Sequence, residues 1–186
     1  TADVKARHGF GGTNTLSFGA HYDRYKLSMK KFNTANWLTG PQGALAAASR
    51  GKTATGAIWL QDAWRFAPEW KLTVGGRFEN WRAVDGFNYS LSPALSVTQP
   101  RLSGSYFSPK ASLAWHPAAP WTVTASYGRA YRMPTVTELY QAITTGSVLS
   151  VPNPSLNPER ADSYDLSAER NSTDGRIRLS LFEEDL

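Results

Sequence analysis

The segment from residue 28 to residue 52 combines basic and aromatic side chains and contains no Asp or Glu. Clustered positive charge raises the local concentration of an anionic ligand, and aromatic rings offer a stacking surface. We therefore predict an anion-binding role for five side chains of this segment: Lys30, Lys31, Trp37, Arg50 and Lys52. The alternative is a basic face that is simply solvated.

A second group of side chains suited to ligand binding lies between residues 129 and 140. Guanidinium and phenol groups donate hydrogen bonds to anionic oxygens. We predict ligand contacts from Arg129, Tyr131, Arg132 and Tyr140. The alternative is architectural: prolines stiffen the chain between residues 132 and 159, and its charged side chains pair to hold its fold, namely Arg132, Arg160, Glu138 and Glu159.

Residues for catalysis or metal binding do not form a recognisable pattern. The chain has no cysteine, and its three histidines, His8, His21 and His116, lie far apart in the sequence. Zinc sites usually show closely spaced His, Cys or carboxylate ligands, which are missing here. We expect neither enzymatic activity nor a bound metal or cofactor.

The composition narrows the class of protein. Among 186 residues there are seven Trp, eight Tyr and eight Phe, whereas only 19% of the residues are charged. The mean hydropathy is nevertheless −0.41, and no window approaches the roughly 18 apolar residues that a membrane-spanning helix needs. The sequence therefore excludes a helical membrane protein. The net charge of +5 leaves open a nucleic acid, an anionic surface or an anionic ligand.

Apolar and polar residues alternate with a period of two in much of the chain, which is typical of β-strands with two different faces. The pattern predicts about seven strands, near residues 13–26, 53–66, 71–79, 105–116, 121–127, 163–169 and 176–181. The segment 43–49 is too short to carry a core but could form one or two helical turns.

Long and short connections alternate between these strands. The long connections are about 28–52, 84–104 and 132–159, and the short turns are 67–70, 117–120 and 171–175. Outer-membrane barrels have short periplasmic turns and long external loops. Aromatic residues that flank the first two turns fit the girdle of such a barrel: Trp64, Phe66, Trp70, Trp115 and Trp121. We predict an all-β, antiparallel up-and-down meander that is part of a larger transmembrane β-barrel.

Several motifs between residues 60 and 166 together resemble one protein family. They include Tyr127-Gly128-Arg129-Ala130-Tyr131-Arg132-Met133-Pro134-Thr135, then Glu138-Leu139-Tyr140, then Asn153-Pro154-Ser155-Leu156-Asn157-Pro158-Glu159. Their order and spacing resemble the barrel of a TonB-dependent outer-membrane receptor. The resemblance implies structural roles for the motif residues Pro134, Thr135, Glu138, Asn153, Pro154, Leu156, Pro158 and Glu159.

The same resemblance implies a location and a function. Such receptors have a 22-stranded barrel around a plug domain, and neither a plug nor the final strand is visible in the sequence. We therefore expect an internal barrel fragment in the bacterial outer membrane, in contact with lipid and lipopolysaccharide. The intact receptor would take up a ferric siderophore or similar scarce nutrient, with its own plug and TonB as partners.

Two other functions compete with this hypothesis. A smaller outer-membrane barrel could act as an adhesin or structural anchor, with its long loops binding a surface partner. A soluble nucleic-acid-binding β-domain would use the basic excess and the exposed aromatics. We expect no nucleic-acid partner. In an outer-membrane protein, the basic segment 28–52 could instead contact the phosphates of lipopolysaccharide.

Overall fold

The computed structural model describes residues 1–145 and 148–186. Strand is the main secondary structure. The strands are β1 (Ala2–Phe10), β2 (Asn14–Phe32), β3 (Leu45–Ala67), β4 (Trp70–Ser90), β5 (Leu95–Thr98), β6 (Leu102–Trp115), β7 (Trp121–Arg132), β8 (Ile143–Thr145), β9 (Val148–Ser150), β10 (Glu159–Ser172) and β11 (Gly175–Asp185). One short helix, α1 (Val136–Tyr140), follows β7.

The long strands form one antiparallel sheet in which chain neighbours pair with each other. Within the described residues, the order is β1-β2-β3-β4-β6-β7-β10-β11, with β5 paired beside the end of β4. β8 and β9 form a separate hairpin between β7 and β10. The predicted antiparallel meander is confirmed. Among the described residues, no helix is long and apolar enough to cross a membrane.

The strand register gives the sheet one apolar face and one polar face. Phe18 pairs with Leu60, and Phe78 pairs with both Ile58 and Phe107, so these side chains form rows across the strands. They remain exposed, and Ile58 keeps 63% of its accessible surface. Because side chains alternate across a strand, the residues between them line the opposite face, which we call the inner face. The exposed apolar side is the outer face.

Aromatic rings occupy the short-turn end of the sheet. Trp70 stacks on Trp115 with ring centroids 5.5 Å apart, and Phe66 lies 6.3 Å from Trp70. Trp64 in turn lies 5.5 Å from Phe66. Amphipathic rings collect at the boundary between lipid and water, and this row is therefore placed as an interfacial girdle would be.

The sequence prediction omits β1: within the described residues the meander has eight long strands, whereas the sequence predicts about seven. β1 pairs with β2 from Ala2 opposite Tyr22 to Phe10 opposite Asn14. All nine of its residues are exposed at the edge of the sheet. Ala, Asp, Lys and Gly are disfavoured in strands, so its composition gives little indication of a strand, whereas the hydrogen-bonded ladder to β2 fixes one.

The strands also extend beyond the sequence-derived limits at the long-loop end. β2 continues to Phe32 and β3 begins at Leu45, so the connection is 33–44 instead of 28–52. The predicted helical turns at 43–49 are wrong, because residues 45–49 belong to β3 and pair with β2. β4 and β5 similarly occupy part of 84–104. Backbone pairing with a neighbour sustains a strand even where residues such as Ala and Lys do not favour one.

The remaining connections differ from the predicted limits by a few residues at most. The third long connection lies between Arg132 and Glu159 and contains α1, β8 and β9. The short turns are 68–69, 116–120 and 173–174. The turn between β1 and β2 adds another at 11–13, where Gly11 and Gly12 have φ values of 55° and 74°. Glycine adopts this left-handed backbone without a steric cost.

Candidate functional site

The main buried cluster lies on the inner face, at the long-loop end of the sheet. Trp81 and Ala83 of β4 pack against Val136, Leu139 and Tyr140 of α1. Partly buried side chains surround them: Leu27, Leu102, Tyr106 and Met133. The chain after β7 therefore folds inward over the sheet, and we call the stretch from Met133 to Ala142 the inward segment.

A capping box starts α1 at the point where the inward segment leaves β7. The Thr135 hydroxyl accepts a hydrogen bond from the Glu138 amide at 3.2 Å, and the Glu138 carboxylate accepts one from the Thr135 amide at 2.8 Å. These two contacts satisfy backbone donors that the first helical turn leaves free. The Thr-x-x-Glu spacing of residues 135–138 indicates this helix start in the sequence, although the sequence prediction did not include α1.

The Tyr140 ring packs flat against the sheet over two glycines. The pairing of β3 with β4 is irregular here, because Asp85 and Gly86 together lie opposite Gly51. A Cβ atom on Gly51 or Gly86 would overlap the Tyr140 ring. Asp85 has a left-handed φ of 59°, as is common at β-bulges. The two glycines, which have no side chains, thus leave the space that the Tyr140 ring occupies; we call this space its seat.

Burial gives Tyr140 a packing role in this structure. Its exposed fraction is 0%, and its hydroxyl finds no hydrogen-bond partner among the described residues. Burial raises the pKa of the phenol, and the nearby Asp85 carboxylate adds to the effect. The predicted contact between Tyr140 and a ligand would require the ring to leave its seat.

A buried amide network holds the end of α1 to the sheet. The Asn88 side-chain amide donates to the Tyr140 carbonyl at 2.7 Å and to the Ser49 hydroxyl at 3.2 Å. Gln99 donates to the Asn88 side-chain oxygen at 2.9 Å, and the Ala142 amide donates to Ser49 at 3.1 Å. Sequence reasoning missed Asn88, Ser49 and Gln99, because no local motif connects them.

Arg132 joins the start and the end of the third long connection. Its guanidinium donates two hydrogen bonds to Glu159, at 2.7 and 2.8 Å, and a third to Glu138 at 3.0 Å. A planar guanidinium favours this two-pronged pairing with a carboxylate. Hydrogen bonding to Arg132 lowers the pKa of Glu159, and hydrogen bonding to Thr135 and then Arg132 lowers the pKa of Glu138. These are the contacts that the architectural alternative requires, except that Arg160 pairs with Asp162.

The other two predicted contacts of this region are also engaged within the protein. Arg129 donates to Asp162 at 2.8 Å, and Tyr127 donates to the same carboxylate oxygen at 2.8 Å. The Tyr131 ring lies 4.9 Å from the Tyr106 ring. Both predicted ligand contacts thus contribute to holding the strands together, and their role toward a ligand stays a prediction.

The basic group between residues 28 and 52 is divided between the two faces. Lys30 pairs with Ala48 and Lys31 with Ala47 on neighbouring positions of β2 and β3, so the two lysines point to opposite sides. Lys30, Arg50 and Lys52 share the outer face, whereas Lys31 belongs to the inner face. Trp37 lies in the connection 33–44 and is 84% exposed. The structure therefore does not gather the five side chains into one site.

The family motif after β9 forms a local turn. The Asn153 side-chain oxygen accepts a hydrogen bond from the Ser155 amide at 3.0 Å, which is the pattern of an Asx turn. Pro154, Leu156 and Pro158 lie between this turn and β10, and Pro134 is buried before α1. Within residues 1–145 and 148–186, no group of three metal-ligating side chains comes together.

Below the inward segment, the inner face carries a hollow of about 620 Å³ with both polar and apolar lining. Its wall includes Trp59, Gln61 and Ser108 and a pair of opposite charges, Arg77 and Glu79, which are 2.9 Å apart. Lys110 contributes a further positive charge. The arrangement offers hydrogen-bond donors, acceptors and an aromatic surface to a polar ligand or to another part of a protein.

Two faces of opposite polarity, short turns flanked by aromatics and long connections at the other end define the wall of a transmembrane β-barrel. The family model described as "TonB dependent receptor-like, beta-barrel" matches residues 1–186. The chain therefore belongs to the TonB-dependent receptor family, whose members are outer-membrane proteins. No curated protein sequence gives a match.

Solved structures show the same fold at low sequence identity. The chain resembles the copper transporter OprC with a TM-score of 0.76 and 16% identity over 97% of its length, which is 29% of that chain. It resembles the closed ferric-catecholate import receptor Fiu of E. coli K12 with a TM-score of 0.70 and 17% identity, covering 98% of this chain and 30% of that one. It resembles the FrpB iron transporter of Neisseria meningitidis with a TM-score of 0.66 and 12% identity, covering 97% of this chain and 28% of that one.

Proposed function

We propose that the chain supplies barrel wall and ligand-facing loops to a receptor that imports a ferric siderophore or a similar scarce nutrient. The observation that carries this proposal is the inward segment, which Tyr140 and Asn88 fasten to the inner face at the long-loop end. A connection that folds inward at this end shapes the entrance to the lumen. The names of the similar structures, a copper transporter and two iron import proteins, support a metal or metal complex as cargo.

The charges and aromatic groups of the inner side favour an anionic chelate. Lys31 lies on the inner face of β2, and the exposed Trp37 adds an aromatic contact surface beyond the strands. Positive charge and aromatic rings attract and stack against a flat anionic ligand. The hollow around Arg77 and Lys110 would face the plug domain of an intact receptor. TonB would supply the energy by acting on that plug.

The competing adhesin hypothesis lacks a specific observation in its favour. A small anchoring barrel needs no inward segment, whereas here Val136, Leu139 and Tyr140 of α1 are buried against the inner face. The receptor family also accounts for all 186 residues. We therefore retain import as the function to be tested.

Uptake by whole cells tests the proposal. Cells that produce the full-length protein and lack other receptors of this type would be given a radiolabelled ferric tris-catecholate or radioactive copper. We expect accumulation of at least one probe, and its loss when the proton-motive force is collapsed. Accumulation that is unaffected by depolarisation, or equal accumulation without the protein, would contradict energised import.

A pair of neighbouring lysines provides a matched comparison for the ligand-facing side. Replacing Lys31 by glutamine, together with Trp37→Ala, is expected to weaken binding of the accumulated probe by about tenfold, through lost charge and stacking. Lys30→Gln, combined with the same Trp37→Ala, removes the same charge from the outer face and serves as the control. Equal effects of the inner and outer variants would show that net charge, and not the inner surface, attracts the ligand.

A further inference from the structure

A group of basic side chains lies on the outer face, next to its apolar rows. It consists of Arg24, Lys26, Arg50, Lys52, Arg82 and Arg101, and we call it the outer basic patch. The register places Arg24 opposite Ala54 and Ala54 opposite Arg82, while Lys26 lies opposite Lys52. These positions continue the same alternation as Phe18, Ile58 and Phe78. The patch therefore belongs to the surface that faces lipid.

The patch lies at the height where the apolar band of the wall ends. On β3, the outer-facing positions run from Trp64 in the aromatic row to Ala54, and Lys52 is the next of them. Ten residues of a strand tilted by about 40° rise about 25 Å, which is the height of the apolar band in outer-membrane barrels. Lys52 and its neighbours therefore lie at the level of lipid headgroups, on the long-loop side.

Four of the six side chains of the patch line one hollow. Arg24, Lys52, Arg82 and Arg101 line a space of about 310 Å³, together with a single acidic residue, Asp85. Asp85 is paired with Lys52, whose ammonium lies 2.6 Å from its carboxylate. Three guanidinium groups then remain around the hollow without a carboxylate partner among its lining residues. Guanidinium forks match the geometry of phosphate oxygens.

The two ends of the outer face differ in chemistry. At the short-turn end, outer positions are occupied by rings, including Trp64, Trp70 and Trp115. At the long-loop end, the outer positions of β2, β3 and β4 include arginines and lysines of the patch. The outer leaflet of a bacterial outer membrane is built from lipopolysaccharide, whose lipid A carries phosphate groups on a glycan next to its acyl chains. Apolar rows next to a cluster of guanidinium groups match both parts of that molecule.

We propose that the outer basic patch binds the phosphorylated headgroup of lipid A, with the acyl chains lying along the apolar rows below. The inference rests on the proposed function only in placing the wall in the outer membrane, and it is independent of the imported ligand. One molecule would bridge β2, β3, β4 and the segment before β6. Such a bridge would hold the upper parts of these strands together at the membrane surface.

Binding to purified full-length protein in detergent tests the lipid site. Diphosphorylated lipid A and its dephosphorylated form would be compared by native mass spectrometry, with phosphatidylglycerol as a second anionic lipid. We expect the diphosphorylated form to bind about tenfold more tightly than either of the other lipids. Dephosphorylated lipid A lacks the charge-assisted contacts to phosphate, and phosphatidylglycerol lacks the glycan. Equal binding of all three lipids would overturn the proposal, and so would full displacement by millimolar inorganic phosphate.

Charge variants locate the site on the protein. The patch variant combines Arg24→Gln, Lys52→Gln, Arg82→Gln and Arg101→Gln. The control removes four charges from the inner face with Lys31→Gln, Lys110→Gln, Arg176→Gln and Arg178→Gln; the pairing of β11 with β10 and of β10 with β7 puts the two arginines on the same face as Lys110. We expect the patch variant to lose about nine-tenths of the co-purifying lipopolysaccharide while the control keeps it. Retention by the patch variant, or an equal loss in the control, would contradict the assignment. The lipid comparison uses the unmodified protein, so it tests lipid A binding even if a variant does not fold. A wild-type protein that binds lipid A yet imports nothing would contradict only the proposed function.

Discussion

Replacing Gly51 by alanine is expected to detach Tyr140 from the sheet and to free the inward segment. The added Cβ would occupy the space of the Tyr140 ring, and the ring is enclosed on its other side by α1 and the cluster around Trp81. Overpacking of this kind costs about 1–3 kcal/mol. In the full-length protein, the Leu139, Gln141 and Ala142 amides should then exchange their hydrogens faster, because the inward segment opens more often.

Two further variants show whether overlap with the Tyr140 ring causes the faster exchange. Gly56 also lies in β3, but a Cβ there would meet its nearest neighbour, Tyr22, at 4.0 Å, so Gly56→Ala should leave exchange unchanged. In a Tyr140→Ala background the ring is gone, and Gly51→Ala should then have no additional effect. Residues in contact show such non-additive behaviour. Additive effects of the two substitutions would contradict the packing that the structure describes.

Replacing Asn88 by alanine is expected to cause the second large loss, because it removes the centre of the buried amide network. The Tyr140 carbonyl would lose its donor at 2.7 Å, and the Gln99 amide would lose its acceptor at 2.9 Å. Each buried polar group left without a partner costs about 1–3 kcal/mol. We expect faster exchange of the Ala142 amide and easier proteolysis within the third long connection.

Asn80 provides the matched control for this substitution. It lies on the same strand, is exposed, and its amide donates to the Ser105 hydroxyl at 3.1 Å. Because Asn80 lies opposite Gly56 on the outer face, away from the inward segment, Asn80→Ala should leave exchange of the Ala142 amide unchanged. Similar destabilisation by the two alanine variants would show that the Asn88 network does not hold the inward segment.

The alternation of side chains made most of the fold predictable. Leu72, Val74 and Phe78 alternate with polar residues, and the structure gives them one face of β4. The short turns likewise follow from residues such as Pro68 and Gly175. β1 escaped prediction because its composition is unfavourable for a strand and it lies exposed at the sheet edge, where pairing with β2 alone defines it.

The site was less predictable, since most of its contacts join distant parts of the chain. Asn88 and Tyr140 are 52 residues apart, and Gly51 meets the same ring only because a bulge aligns it with Gly86. No local sequence pattern predicts contacts between residues so far apart in the chain. The start of α1, by contrast, was readable from Thr135 and Glu138. The basic residues between 28 and 52 belong mostly to strands, so alternation separates Lys30 from Lys31 and places them on different surfaces.

Spin labels tell the lipid side of the wall from the lumen side most directly. These 186 residues contain no cysteine, so single cysteines can be introduced at consecutive positions of β3, from Ala57 to Gln61, in the full-length protein reconstituted in bilayers. We expect dissolved oxygen in the bilayer to reach labels at positions 58 and 60, whereas labels at 57, 59 and 61, which face the lumen and its plug, are shielded from it. Uniform accessibility along the five positions, or alternation in the opposite phase, would contradict a wall whose outer face meets lipid.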